Sequence, residues 1–480
     1  MTQPVFGPLT SVNIAQTAAF LHPWEMDPWG RLRPPLSVEA LQMSAELAAA
    51  CHSLNIRPWL RAGWREVTVQ VDGELTALEN AEGSLAAKWQ RQLVRSKMRG
   101  YNPVSQIAGA LRERESSTTG KAVVMIRPAE DGRYVVAVCF MGTGTRFYDW
   151  FSNFRMSAPD GIHKGFGQIT AQFEENEGRI AFPQTAAELN LEKLTLAHIL
   201  KEMKSPKSRF LLWLSGHSQG GAVMQVYAHR KIVEEGVHPL NVVGYGFASP
   251  SVMTGRAVAQ PEAYPLYHVH NSDDLVPRCG AALHLGVCLT CQADEALRRS
   301  CYGWPRDEAA VRARIAVRPV VRQMTDNANC IVQARAMLAV LGSRSAAEIA
   351  EVLGLGDGLP IGKLLEVADM KAALDRVNRR LEAAYQSVAG EALPAERVEE
   401  AAALMRQIIA QTGLKPFMGA LFQLLRYPHR ISARSAGEFL TPYAWIAANA
   451  ADRLIPSIWR AGLPPERLYI PPAEGRSSRE

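Results

Sequence analysis

Apolar positions along this chain change their period more than once. Up to Leu54 the sequence is rich in Pro and Trp and then passes into an Ala/Leu-rich run, Ser37 to Ala50, with helical spacing. Strand-like segments follow at Glu66 to Val71 (EVTVQV), Lys121 to Ile126 (KAVVMI) and Tyr134 to Phe140 (YVVAVCF), and a helix is expected between the first two at Leu85 to Arg95. From Gly165 to Arg278 helical stretches separate short runs that are almost wholly apolar: Phe210 to Leu214 (FLLWL), Val242 to Phe247 (VVGYGF) and Leu266 to Val269 (LYHV). Strands apolar on both faces belong to a buried parallel sheet, and the helices between them are the crossovers such a sheet requires. This part of the chain is therefore expected to be α/β.

Beyond Trp304 the strand pattern stops. Arg312 to Leu425 is rich in Ala, Leu, Glu and Arg with helical periodicity, broken at Gly354 to Pro360 and again at Leu393-Pro394. The expected organisation is an N-terminal helical extension over 1–60, an α/β core over 61–303, a helical insertion or cap over 304–425 and a C-terminal segment over 426–480 that returns to the core.

One segment carries chemistry. In FLLWLSGHSQGGAVMQVYAHR, residues 210–230, an apolar strand enters a G-x-S-x-G pattern and a run with helical spacing (Ala222, Val223, Val226, Tyr227) leaves it. Such a strand–turn–helix lifts a serine hydroxyl out of a strained bend, and Gly216 and Gly220 remove side chains that would clash there. Ser218 is the candidate nucleophile. Amides at the new helix's N-terminus face it and suit an oxyanion. His217, whose side chain projects the other way, is expected to be structural.

With what flanks it, GHSQGG resembles the class 3 lipase family of α/β-hydrolases, which includes the fungal triacylglycerol lipases. The likeness runs over roughly residues 120–290, in patches that keep the family's order. Phe140 to Asn153 (FMGTGTRFYDWFSN) is similar to the family's oxyanion segment, so the resemblance makes Thr143 an oxyanion donor and gives the second amide to Gln219, where the family usually has Leu. His163 to Phe166 (HKGF) resembles a structural segment, and His163 is expected to have no catalytic part. Asn271 to Arg278 (NSDDLVPR) resembles the acid segment, with Asp274 as the triad carboxylate and Asp273 as its rival. Triad order in this fold puts the base after the acid, where the chain has only His284 and His429. His429 is favoured, because His284 resembles a family position that is not the catalytic one.

The resemblance implies an α/β-hydrolase fold with a mostly parallel central sheet, here extended by the long C-terminal helical insertion or cap. It also implies a carboxylic ester hydrolase acting on lipid through an acyl-enzyme, with no cofactor. A phospholipase or general carboxylesterase is the alternative, and a non-catalytic scaffold binding a partner through its helical half is the alternative of another class. The expected partners are a lipid or ester substrate and transient lipid-surface contact. The aromatic run Phe147, Tyr148, Trp150, Phe151 and Phe154 reads equally as a lid helix or as a core helix packed on the sheet. The helices after Arg312 are a second lid candidate, with ordinary helix packing the better reading for most of them.

Composition adds exclusions. A formal charge of +6 over 480 residues, without a dense Lys/Arg run, argues against nucleic acid as a partner. No stretch reaches the roughly 20 apolar residues of a spanning helix, and the N-terminus lacks a signal-peptide pattern. Seven cysteines include an odd one, and Cys279, Cys288, Cys291 and Cys301 crowd together, which is no disulfide framework spread over a secreted fold. A reducing, cytoplasmic location is expected. The same cluster, with a C-x-x-C at its centre, is the one candidate for structural zinc or for a disulfide, although buried thiols are the better reading than either.

Overall fold

The computed structural model describes residues 25–26, 32–33, 38–53, 56–71, 74–78, 121–142, 161–253, 258, 261, 264–271, 274, 276–278, 283–291, 308–324, 327–344 and 367–426. Its centre is a sheet with eight strands among the described residues: β1 (Arg65–Val71), β2 (Glu74–Leu78), β3 (Lys121–Pro128), β4 (Tyr134–Phe140), β5 (Phe210–His217), β6 (Val242–Phe247), β7 (Leu266–Asn271) and β8 (Val287–Cys291). They lie in the order β8-β7-β6-β5-β4-β3-β1-β2. Strands β4 to β8 run parallel, and β3, β1 and β2 pair antiparallel at one side. The expected strands all form. Those the pattern does not show, β2 and β8, are the two edges.

Helices cover both faces. On one lie α1 (Val38–Ser53) and α2 (Arg57–Arg61). On the other lie α3 (Lys164–Glu174), α5 (Leu196–Glu202) and α6 (Gln219–His229), with the short α4 (Pro183–Glu188) beside them. Alternation along β4 sends Val135, Ala137 and Cys139 into the first core and Val136, Val138 and Phe140 into the second. That is why β4 and β5 are apolar at nearly every position. In the first core Trp59, Trp64 and Trp213 pack with ring centroids 5.6–5.9 Å apart, and the Trp213 indole N–H donates to Ser44 Oγ at 2.9 Å. This ties α1 and α2 to the strand that leads into the turn at Ser218. At the far end of α6, fully buried Lys231 meets Glu174, Glu177 and Glu235, which anchors that end to α3.

The helical part holds α7 (Glu308–Gln323), α8 (Asn327–Gly342), α9 (Val367–Ala389), α10 (Ala395–Thr412) and α11 (Leu414–Arg426) among the described residues. Their facing residues, among them Val317, Ile331, Ala402, Met405 and Phe417, make a core of their own. The break expected at Leu393-Pro394 separates α9 from α10. The expected helix at 85–95, the break at 354–360 and the aromatic run 147–154 lie outside the described residues. No helix among the described residues is long and apolar enough to cross a membrane.

Candidate active site

Strand β5 delivers Ser218 into a conformation that few residues adopt. Its backbone sits at φ 57°, ψ −130°, between the last residue of β5 and the first of α6. A non-glycine residue there costs on the order of 1–3 kcal/mol, so the surroundings must hold it. They do so through the backbone. Ser218 N–H donates to Phe247 O at 2.9 Å, and Ser218 O accepts from Gly221 N–H at 2.9 Å and Ala222 N–H at 3.2 Å.

The glycines are steric necessities. A Cβ on Gly216 would lie 2.4 Å from the Gly220 carbonyl carbon, and one on Gly220 would lie 2.1 Å from Phe140 O. Helix α6 therefore begins directly against the end of β4, and a Cβ on Gly221 would meet Ser249 Oγ at 1.9 Å. Gln219 opens α6, where amides are not used by the helix's own ladder and the helix dipole is positive.

The parallel strands bring the predicted positions to one edge. Ser218 follows β5, and Asp274 lies three residues beyond the end of β7. The carboxyl ends of parallel strands are where α/β sheets place their ligand sites. Asp274 is 1% exposed, and its Oδ1 accepts from Val276 N–H at 3.0 Å. That bond fixes the carboxylate's direction without exhausting it, since a carboxylate has about four acceptor sites. Thr143, Asp273 and His429 lie outside the described residues; Thr143 is two positions beyond Met141, whose carbonyl carbon lies against Gly220.

His284 is placed differently. Its Nε2 lies 2.8 Å from Ser249 O, and because a carbonyl only accepts, that nitrogen carries the proton. Burial pushes its pKa down to about 4. Beside it stand two histidines that the sequence reading did not single out. His268 Nε2 donates to Leu285 O at 2.8 Å, and the three rings of His268, His270 and His284 have centroids 4.8–6.0 Å apart. Burial pushes His268 down to about 3 and holds His270 well below the ordinary imidazole value. The H-x-H spacing on one face of β7 was the available signal.

The remaining candidates are His163, His217 and the cysteine cluster. His163 caps α3, accepting from Phe166 N–H at 3.4 Å and stacking on the Phe166 ring. His217 ends β5 and is 4% exposed. In the cysteine cluster, Cys288 and Cys291 lie on the extended strand β8 rather than on the tight turn that closes two thiolates on one ion, and Cys279 and Cys301 lie outside the described residues. Among the described residues no group of three His, Cys, Asp or Glu side chains could hold a metal ion.

Residues 137–283 match the model of the class 3 lipase family, a span that holds the end of β4, the turn at Ser218 and Asp274. No curated protein sequence matches the chain. Among solved structures, a Rhizomucor miehei lipase–propeptide complex matches with 17% identity and a TM-score of 0.32, over 59% of this chain and 77% of that one. A lipase from Rhizopus microsporus var. chinensis matches with 15% identity and a TM-score of 0.33, over 54% and 75%. An extracellular lipase of Serratia marcescens matches with 13% identity and a TM-score of 0.26, over 56% and 46%.

The neighbours correct the expected cytoplasmic location, since they include an extracellular lipase. The cysteine argument behind that expectation is weak on physical grounds as well: Cys51, Cys139 and Cys330 are buried free thiols, inert in an oxidising or a reducing medium alike. Fold, nucleophile turn and family match converge. Residues 137–283 are similar to the class 3 lipase family and hold the nucleophile turn on a mostly parallel sheet, and that similarity supports a carboxylic ester hydrolase.

Proposed function

We propose that this chain cleaves carboxylic esters of lipids through an acyl-enzyme on Ser218. The observation that carries the reading is the backbone of Ser218, held at φ 57° between β5 and α6 by glycines that no other residue could replace without collision. His429 takes the Ser218 hydroxyl proton as Oγ attacks the ester carbonyl. The carbonyl–alkoxy bond then breaks, and the alcohol leaves with that proton. Water, deprotonated by the same imidazole, attacks the acyl group and releases the acid. Asp274 orients the imidazole, and amide or hydroxyl groups of Thr143 and Gln219 hold the oxyanion.

Two contacts support this assignment over its rivals. The Asp274 carboxylate is buried and already aimed by Val276 N–H. The His284 Nε2 is committed to Ser249 O, and a ring with a pKa of about 4 is a poor base at neutral pH.

A fluorophosphonate probe tests the nucleophile: it labels the wild type and leaves Ser218→Ala unlabelled. Labelling that survives the substitution ends the reading. Hydrolysis of p-nitrophenyl esters of increasing chain length, beside phosphatidylcholine, separates lipase, esterase and phospholipase. In the same assay His429→Ala loses three or more orders of magnitude, on the order of what removing a triad member costs.

A further inference from the structure

Between the helix that carries Ser218 and the strand that leads to Asp274 lies a group of buried polar side chains that the chemistry above does not use. Gln225 is fully buried two turns into α6. Its Nε2 donates to Gly221 O at 3.3 Å and Pro250 O at 3.1 Å, and its Oε1 accepts from Leu285 N–H at 2.9 Å. His284 Nε2 donates to Ser249 O at 2.8 Å, and His268 Nε2 donates to Leu285 O at 2.8 Å. Backbone bonds between Met253 and Leu283 complete the junction. The peptides 249–250, after β6, and 284–285, before β8, lie outside the strands of the sheet. Side chains satisfy them instead.

We propose that Gln225, His268 and His284 are positioning residues: a clamp that holds the nucleophile-bearing helix and the acid-bearing strand in register. This rests on the reading of Ser218 and Asp274 given above. The connection can be followed in both directions. On the nucleophile side, Ser218 N–H is bonded to Phe247 O, and Ser249 lies so close to Gly221 that a Cβ there would sit 1.9 Å from its hydroxyl. The loop that the clamp holds is thus the wall on which the turn at Ser218 leans. On the acid side, His268 and His270 belong to β7, and Asp274 lies three residues beyond the end of that strand.

The chemistry of the clamp is directional. Apolar residues would fill the same space, but they would leave the Ser249, Pro250 and Leu285 carbonyls and the Leu285 amide without these partners, so polar side chains of fixed aim are used. The rings are neutral donors. Among the described residues His268 Nδ1 and His270 Nε2 are buried with no hydrogen-bond partner, and the only ionisable groups acting on the three rings are the rings themselves.

The test compares His284→Leu and Gln225→Leu with His284→Gln, whose amide N–H reaches where Nε2–H does. For each, kcat and KM on a soluble p-nitrophenyl ester, the rate of fluorophosphonate labelling and the thermal midpoint are measured. A clamp predicts that the Leu variants lose about tenfold or more in both kcat and labelling rate with little change in KM, because misplacement on the scale of 1 Å carries such penalties. His284→Gln recovers most of the loss. If the Leu variants do not fold, Gln225→Glu, which keeps the acceptor for Leu285 N–H and gives up the donor to Pro250 O, reads the same effect. A smaller drop in kcat in the folded variants, or a loss that His284→Gln shares in full, overturns the proposal. Ser218→Ala separates the two readings: if it stays active the nucleophile is wrong, whereas an inactive Ser218→Ala beside unaffected clamp variants removes only the clamp.

Discussion

Ser218 occupies a backbone conformation that glycine adopts freely and serine does not, and the cost is carried by function rather than by folding. Two substitutions expose this. Ser218→Gly removes the strain and the hydroxyl together, so it is expected to be inactive and more stable than the wild type by about 1 kcal/mol; Ser218→Ala is inactive without that gain. Denaturant midpoints of the pair decide it, and equal midpoints would mean that the turn stores no strain. Gly220→Ala is the converse. Its Cβ would sit 2.1 Å from Phe140 O, a backbone atom that β4 holds in place, so a loss of roughly 2–3 kcal/mol accompanied by lowered hydrolysis is expected. The same denaturant series with an ester assay reads both effects.

At the scale of elements, the antiparallel side of the sheet shows a second strained residue put to structural use. Glu66 stands at φ 54°, where the pairing of β1 with β3 shifts register. Its carboxylate reaches across to the N-terminus of α4, accepting from Thr185 N–H at 3.2 Å and from Gln184 N–H. Glu66→Ala keeps the strain and loses the cap, which predicts destabilisation of about 1–2 kcal/mol with ester hydrolysis unchanged. Glu66→Gly loses the cap but relieves the φ, so it should fall less. Urea midpoints in the order wild type, Gly, Ala support this, and the reverse order of Gly and Ala refutes it.

Neither the Glu66 cap nor the register shift is legible in the sequence, because the cap spans 118 positions and rests on backbone atoms. The central strands are legible for the opposite reason: with helices on both faces, β4, β5 and β6 have to be apolar at nearly every position. The edge strands β2 (ELTAL) and β8 (VCLTC) have a ladder partner on one side only and mix polar with apolar residues, so β8 reads as part of a cysteine cluster. The site divides in the same way. The nucleophile turn is a local pattern of glycines between a strand and a helix, whereas Gln225, His268 and His284 meet backbone partners 60, 17 and 35 positions away, and only the H-x-H spacing of β7 marks any of them locally.

Taken whole, the α/β part buries ionisable groups of both signs, and their shifts set opposite pH dependences. His268 and His284, lowered from 6.5 to about 3 and about 4 by burial, bind protons more readily when the chain is unfolded. Their contribution is complete above pH 6.5 and is lost as the pH falls from there toward the folded values. Glu46 on α1 is 6% exposed, and burial raises it from 4.5 to about 8; Glu177 rises to about 7, again chiefly through burial. These two hold their protons in the folded chain and surrender them on unfolding, so stability is complete below pH 4.5 and declines as the pH rises toward 7 and 8. Between 4.5 and 6.5 the two sets oppose each other, above 6.5 only the carboxyls act, and below 4.5 only the imidazoles do. Stability should therefore be highest within the overlap and fall on both sides. Urea titrations from pH 3.5 to 9, followed by the fluorescence of the Trp59–Trp64–Trp213 cluster, measure the curve. Glu46→Gln should flatten the alkaline limb and leave the acid limb, and His268→Gln should do the opposite. If both variants keep the wild-type curve on both limbs, these buried groups do not set the pH dependence.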